Sequence, residues 1–181
     1  MKKIRSAAAV LMALIVITAG GAAGGEAFAA ERGAYPSRPG TILVTPNNIN
    51  KVARLFKLGH AAIVLNRSTV VEAALPTVKT SKNAWKRRAR VKRLYGVSVN
   101  HTSRQQDRKA ARWCRRQVGR PYNINYMDVF TRERFYCSHL VWAAFLDNFG
   151  IDMNTAAYGR MIAPMELVNS PETSVIYSYK R

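Results

Sequence analysis

The sequence predicts an α+β domain in which helices pack on one side of a mainly antiparallel sheet. Two β-branched runs, HAAIVLN and TVVEAAL, are separated by little more than Arg67-Ser68, which is the spacing of a β-hairpin. Two segments with helical spacing of apolar residues follow, and SVIYSY near the end of the chain predicts a closing strand. This order of strands, helices and a final strand is typical of the class.

Local signals place the boundaries of these elements. TILVT (41–45) predicts a short strand after a turn-rich lead-in. Ser103 and Gln106 have the spacing of a capping box, which predicts the start of a helix that ends before Gly119. A second helix is expected from about Ser138 to Phe149.

The first 29 residues predict a secretory signal peptide. A basic start precedes the apolar stretch Ala7–Ala19, and Ala27-Phe28-Ala29 fits the small-residue rule for cleavage. The apolar stretch is shorter than the roughly 20 residues of a membrane-spanning helix, which argues against an anchor. We therefore expect a secreted, extracellular or wall-associated protein with one domain over residues 30–181 and no transmembrane helix in the mature chain.

The composition is strongly basic, with a formal net charge of +19. Such a charge favours polyanionic partners, namely nucleic acid, an anionic membrane or an anionic cell wall. No acid lies between Glu72 and Asp107, and the basic residues there concentrate in the basic run, 79–93. This run is either an exposed strand or loop or a surface that docks a polyanion. Only Trp85 and Tyr95 interleave aromatics with the charge and no nucleic-acid motif surrounds them, which argues against nucleic acid.

Cys137 stands at the start of an apolar, helix-forming run. The unpaired N–H groups and partial positive charge of a helix N-terminus favour a thiolate, so Cys137 is a candidate nucleophile. Cys114 lies on the apolar stripe of the preceding helix and is expected to pack in the core. Two other interpretations of Cys137 stay open: a buried, inert thiol, and a disulfide with Cys114, since exported proteins meet oxidising conditions.

A thiolate nucleophile needs a base, and His60 is the best placed of three histidines. Glu72 follows His60 by twelve residues, in the paired strand. If the hairpin loop has an odd number of residues, His60 and Glu72 project from one face, where the carboxylate would fix the imidazole tautomer. His139 points away from Cys137 on the helix, and His101 has no nearby acid. The alternative is that His60 is a strand-edge residue and Glu72 a surface acid.

Five segments in order, GTILVT, GHAAIVL, VVEAAL, GRPYN and YCSHLVWAAF, resemble the circularly permuted branch of the NlpC-type papain-like cysteine hydrolases, the YiiX-like group. The resemblance covers nearly all of the mature chain. It implies a permuted papain-like fold, because His60 and Glu72 precede the cysteine instead of following it. It also implies that Cys137 is the nucleophile, His60 the general base and Glu72 the orienting residue. His139 is a departure, since an acid often follows CS in this group.

Tyr122 and Tyr136 are candidates to bind substrate or donate to the oxyanion, with aromatic packing as the alternative, and N–H groups at the start of the Cys137 helix are the expected oxyanion donors. The resemblance implies a secreted cysteine peptidase or amidohydrolase that cleaves amide bonds in peptidoglycan peptides, without metal or cofactor. An anionic wall polymer is an additional expected partner. Two alternatives remain: a lipid-directed acyltransferase or amidase of the same fold, and a non-catalytic cationic module that binds the wall through the basic run, 79–93.

Overall fold

A computed structural model describes residues 30–47 and 58–181. The strands are β1 (Ala30–Arg32), β2 (Ile42–Thr45), β3 (His60–Asn66), β4 (Thr69–Ala74), β5 (Thr77–Lys82), β6 (Arg93–Val99) and β7 (Thr173–Lys180). The helices are α1 (Arg104–Arg116), α2 (Cys137–Phe149) and α3 (Glu166–Asn169), and a short 3-10 helix spans Trp85–Arg87. The expected signal peptide lies outside the described residues.

The seven strands form one antiparallel sheet in the order β1-β7-β6-β2-β3-β4-β5. The strands before and after the helices therefore close into a single sheet. This arrangement confirms the predicted α+β class. Among the described residues, no helix is long and apolar enough to cross a membrane.

Alternating side chains divide the core into two layers. The residues of one sheet face, which include Ile63 and Val71, pack against α1 and α2. The opposite face carries Ala62, Val64 and Val70, and it is covered by a smaller cluster built around Trp85. Helices of appreciable length therefore lie on one face only, as the sequence predicted.

The helix boundaries follow the expected signals closely. Ser103 and Gln106 form the complete capping box at the start of α1. Helix α2 begins at Cys137, one residue before the predicted start, and ends at Gly150 in the left-handed conformation. Ser138 does not cap α2, because its hydroxyl donates to the carbonyl oxygen of Ile162 at 2.6 Å.

A bulge in β3 decides the register of the β3–β4 hairpin. The connection consists of the two residues Arg67-Ser68, so the loop does not have the odd number of residues considered in the sequence analysis. Val64 pairs with Val70 and Asn66 with Thr69, which leaves Leu65 without a partner. The extra residue lies in the strand instead of the loop. It has the same effect as an odd loop, because it places His60 and Glu72 on the same face of the sheet.

The basic run, 79–93, is neither one strand nor one loop. It contains the end of β5, the short 3-10 helix and the first residue of β6. Lys79, Lys82, Arg87 and Arg90 are exposed, whereas Trp85 is fully buried. The tryptophan anchors the run to the sheet while most of its cations face solvent.

Candidate active site

His60 and Glu72 form a buried hydrogen-bonded pair. His60 is the first residue of β3, and its Nε2–H donates to the Glu72 Oε2 atom at 2.7 Å. The two residues are only 1% and 3% exposed. Burial raises the pKa of Glu72, but the hydrogen bond and charge of His60, together with Arg88 and Ser81, hold that pKa well below its usual range. The carboxyl is therefore ionised and can fix the Nε2–H tautomer.

Three residues of the basic run and the adjoining strand support Glu72. The other carboxylate oxygen, Oε1, accepts hydrogen bonds from the Ser81 hydroxyl and, at 3.2 Å, from Arg88 Nη2. The Arg88 guanidinium lies 4.8 Å from the centroid of the Trp85 ring. The His60 ring stacks on the same tryptophan at 5.2 Å with an interplanar angle of 18°. Trp85 thus contacts His60 and Arg88, two of the three groups that bond to the carboxylate.

Cys137 is the first residue of α2 and meets the other side of the His60 ring. His60 Nδ1 is buried and has no hydrogen-bond partner of ordinary geometry among the described residues. The Cys137 thiol lies close enough to His60 for each group to shift the pKa of the other, and Ala61 also lowers the pKa of the thiol. Because Glu72 occupies Nε2, we assign the thiol interaction to Nδ1. Cys137 therefore lies against the first two residues of β3.

The pKa values of this pair move toward a thiolate and an imidazolium. Burial raises the pKa of the Cys137 thiol, but the His60 charge and the hydrogen bonds from His60, Ala61 and Ser138 lower it below its ordinary value. Burial lowers the pKa of His60, but Cys137 and Glu72 raise it to about 9. Both pKa shifts favour the charged forms, a thiolate on Cys137 and an imidazolium on His60.

The three residues come from opposite faces of the sheet and meet at the end where β3 begins. By strand alternation, His60 and Glu72 belong to the face that carries Ala62 and the Trp85 cluster. Helix α2 packs on the opposite face. Cys137 reaches the histidine because the N-terminus of α2 meets the sheet where β3 begins.

A cavity beside Cys137 is lined mainly by aromatic and aliphatic side chains. Tyr122 and Tyr136, the two tyrosines singled out in the sequence, both line it, and so does Tyr126. The other lining residues in the described part of the chain are Leu58, Gly59, Ser138, Met161, Ile162 and Pro164. None of these carries a charged side chain. The cavity therefore suits an uncharged ligand group.

Each tyrosine has a defined position in this wall. The Tyr136 hydroxyl accepts a hydrogen bond from the Ile162 N–H at 2.9 Å. The Tyr122 and Tyr126 side chains are hydrogen-bonded, and burial followed by the Cys137 charge raises the pKa of Tyr122. Both Tyr122 and Tyr136 are therefore neutral, so each can offer a hydroxyl but no charge.

A model of the family described as permuted papain-like amidase enzymes, YaeF/YiiX, C92 family, matches residues 42–176. The chain belongs to this family. Among solved structures, the metalloprotein yiiX from Escherichia coli O157:H7 is similar, with a TM-score of 0.61 and 17% sequence identity. The similarity covers 77% of this chain and 97% of that one, and it shows a shared fold. No curated protein sequence matches the chain.

Family membership confirms the permuted papain-like fold that the five sequence segments implied. The neighbouring structure is titled a metalloprotein. Within residues 30–47 and 58–181 of this amidase, no group of three or more His, Cys, Asp or Glu side chains could hold a metal ion.

Cys114 and His139 of the amidase have other surroundings than the Cys137 thiol. Cys114 and Cys137 are both free thiols, so the alternative disulfide is not formed in this structure. The Cys114 thiol contacts the carbonyl oxygen of Leu140 at 3.6 Å, and burial raises its pKa far above the ordinary value. His139 is buried among aromatic rings, and burial and then the Arg132 charge lower its pKa to about 4. His139 is therefore a neutral residue packed among aromatic rings.

Sequence reasoning missed four residues that shape the site: Ser81, Trp85, Arg88 and Tyr126. The basic run was interpreted as a whole, which concealed that its central tryptophan and one arginine turn inward. A lone tryptophan among cations was the available signal, since a large aromatic side chain is usually buried. No sequence pattern distinguished Arg88 from Arg87 or Arg90.

Proposed function

We propose that this chain is an exported cysteine amidohydrolase in which Cys137, His60 and Glu72 form a catalytic triad. The observation that carries the proposal is the buried His60 ring, which bonds to Glu72 through Nε2 and interacts with the Cys137 thiol. A nucleophile that contacts a base, which in turn contacts an orienting group, is the arrangement of a catalytic triad. A purely structural role for these residues would not require a charged, buried cysteine and histidine.

In the proposed first step, the Cys137 thiolate attacks the carbonyl carbon of an amide. The carbonyl oxygen becomes an oxyanion, which backbone N–H groups in the first turn of α2 are placed to stabilise, since this turn has no side-chain cap. The His60 imidazolium then gives its proton to the leaving nitrogen as the C–N bond breaks. The products are an amine and a thioester on Cys137.

In the second step, neutral His60 takes a proton from water, and the hydroxide equivalent attacks the thioester. The C–S bond breaks, the carboxylic acid leaves, and the Cys137 thiolate and His60 imidazolium are restored. Glu72 keeps its negative charge throughout and stabilises the imidazolium in each half of the cycle. No metal or cofactor takes part in these steps.

For substrate, we propose an amide bond in the peptides of peptidoglycan, with Tyr122 and Tyr136 contacting the acyl side of that bond. Support comes from the family, from the expected signal peptide and from the basic surface, which suits an anionic wall. The test is the release of new amines from purified wall fragments. Wild type and Cys114→Ala should release them at similar rates, and folded Cys137→Ala should release none.

A second candidate is a lipid-directed amidase or acyltransferase of the same fold. The uncharged lining of the cavity favours it, because such a wall accepts an alkyl chain as readily as a peptide side chain. The same variants, assayed on an N-acyl amphiphile, distinguish the two. Turnover of the amphiphile without release of amines from wall fragments would favour the lipid-directed activity and contradict the peptidoglycan proposal.

Binding of an anionic wall polymer can be tested separately from catalysis. Arg87 and Arg90 are exposed, whereas Arg88 contacts Glu72 and must be left unchanged. Replacing Arg87 and Arg90 by Gln should weaken binding to wall fragments and flatten its salt dependence, with turnover of a small soluble amide unaltered. Equal binding at low salt would show that the basic run is only a solvated surface.

A further inference from the structure

One loop between α1 and α2, residues 122–135, exposes three bulky apolar side chains. Ile124 is 74% exposed, Met127 55% and Phe130 75%. Isolated apolar residues on a surface are ordinary, but three such residues on one short loop form a cluster of the kind that marks an interaction site. More than half of each of these side chains is exposed.

The 122–135 loop holds these side chains in place. Buried Asn123 donates to the backbone oxygen of Asp128 at 3.0 Å and accepts from the N–H of Asn125 at 3.0 Å. Within the loop, the Val129 side chain is buried, and Arg132 makes two hydrogen bonds of 2.7 Å to Asp147 of α2. The apolar side chains are thus presented to solvent by an internally bonded loop.

The same loop forms part of the cavity beside Cys137. Its Tyr126 lines the cavity and packs edge-on against Tyr136, with 5.1 Å between ring centroids. Arg160 lies 6.0 Å from the centroid of the Phe130 ring, and the next residue, Met161, also lines the cavity. Whatever binds the exposed cluster therefore lies next to the proposed active site.

The charges around the cluster are mainly positive. Arg120 and Arg134 are exposed at the two ends of the loop, which the backbone bond from Phe135 N to Pro121 O brings together. Arg160 is exposed beside Phe130. The acids of the loop are half-buried Asp128 and exposed Glu133. Three exposed arginines against these two acids complement an anionic surface, as does the net charge of +19.

We propose that the 122–135 loop docks this protein on an anionic lipid surface. Ile124, Met127 and Phe130 would enter the boundary between headgroups and acyl chains, while the arginines contact lipid phosphates. A hydrophilic wall polymer would use the arginines but offer nothing to the apolar side chains. Docking in this way places the mouth of the cavity at the lipid surface. The proposal concerns binding alone and does not depend on the chemistry of Cys137.

A local reporter tests insertion of the loop independently of any other lipid-binding segment. Phe130→Trp places a fluorophore in the cluster, and Ile176→Trp places one at an exposed apolar position on β7 as the matched control. Each variant is mixed with vesicles of phosphatidylcholine containing roughly 30% phosphatidylglycerol, a content that gives an anionic surface. With brominated acyl chains in the vesicles, the added fluorescence at position 130 should be quenched and that at position 176 should not. No quenching at position 130, or equal quenching at both positions, would overturn the proposal.

Partitioning of the protein between water and vesicles gives an independent measure of docking. The triple variant Ile124→Ser, Met127→Ser, Phe130→Ser should bind these vesicles about 10- to 100-fold more weakly than wild type, because burial of apolar area drives interfacial binding. The control pair Val175→Ser, Ile176→Ser should bind like wild type. Equal binding by the triple variant and wild type would contradict the proposal. A concentration-dependent dimer that the triple substitution abolishes, without vesicle binding by wild type, would identify a second copy as the occupant and also contradict it.

Discussion

The Glu72 carboxylate meets His60 Nε2 at 2.7 Å because β3 contains one residue more than its partner strand requires. Leu65 is that extra residue. Without it, the two-residue connection would place the glutamate side chain on the face opposite the histidine. The pairing of His60 with Glu72 therefore depends on a bulge five residues beyond His60 in β3, and not on the length of the hairpin loop.

Substitutions in the proposed triad should separate its three roles. Cys137→Ala and His60→Ala should each lower kcat by roughly 10⁴- to 10⁶-fold, and Glu72→Gln should cost about 100-fold less than either. Gln still accepts the Nε2–H bond but stabilises the imidazolium less. The double variant His60→Ala, Glu72→Gln should resemble His60→Ala, since members of one unit are not additive. Initial rates on wall fragments, with folding checked by thermal melting, measure this; an additive double variant would remove Glu72 from the triad.

The pH dependence of kcat/KM should be bell-shaped. On the acidic side, activity falls as the Cys137 thiolate takes up a proton, and the lowered pKa puts this limb below the ordinary thiol value of 9. On the alkaline side, activity falls near pH 9, where His60 loses the proton that the leaving amine needs. A flat profile between pH 7 and 10 (roughly the range in which a free thiol would titrate) would contradict the charged pair.

Alkylation of the thiol examines the same pair without turnover. In a Cys114→Ala background, Cys137 should still react rapidly with iodoacetamide below pH 9, which is the ordinary pKa of a thiol. Adding His60→Ala removes the positive charge, so burial dominates and the titration should move to higher pH. The same midpoint with and without His60 would show that the histidine does not set the thiol pKa.

Arg88 should affect catalysis although it belongs to the basic run. Arg88→Gln removes the 3.2 Å ion pair with Glu72, whereas Arg87→Gln and Arg90→Gln remove only exposed charges. Because the Arg88 side chain is 30% exposed, solvent screens the pair, and we expect kcat to fall about three- to tenfold. Arg88→Lys should recover part of the loss by restoring the charge. Equal kcat values for the Gln variants at positions 87 and 88 would contradict a positioning role.

Gly59 should be required for the position of His60. Its φ is +81°, and a Cβ there would collide with the backbone oxygen of Thr45. Gly150 has a similar φ of +70° but open space around it, which makes Gly150→Ala the matched control for backbone strain. Gly150→Ala should lower the free energy of unfolding by about 1 kcal/mol and keep full activity per folded molecule. Gly59→Ala should lower both the stability and the activity per folded molecule. Thermal melts and active-site titration separate the two effects.

Much of the fold could be predicted from sequence because its signals are local. The capping box of Ser103 and Gln106 and the stop at Gly150 depend on neighbouring residues alone, and the structure places helix ends there. Strand β5 was missed, because TVKTSK is polar and half of its residues face solvent. Strand β1 is a three-residue, fully exposed edge strand and carries no hydrophobic pattern.

The sequence by itself determined the two long helices, the central hairpin and the identity of the three residues now proposed as a triad, since spacing, capping and a carboxylate in an apolar strand are local features. Only the tertiary structure decided how they meet. The Leu65 bulge sets the parity of His60 and Glu72, and the N-terminus of α2 brings Cys137 to the end of β3. The tertiary structure also turned the Arg88 side chain toward Glu72, while Arg87 and Arg90 stayed exposed. These outcomes follow from contacts between distant segments, whose register and orientation no local pattern encodes.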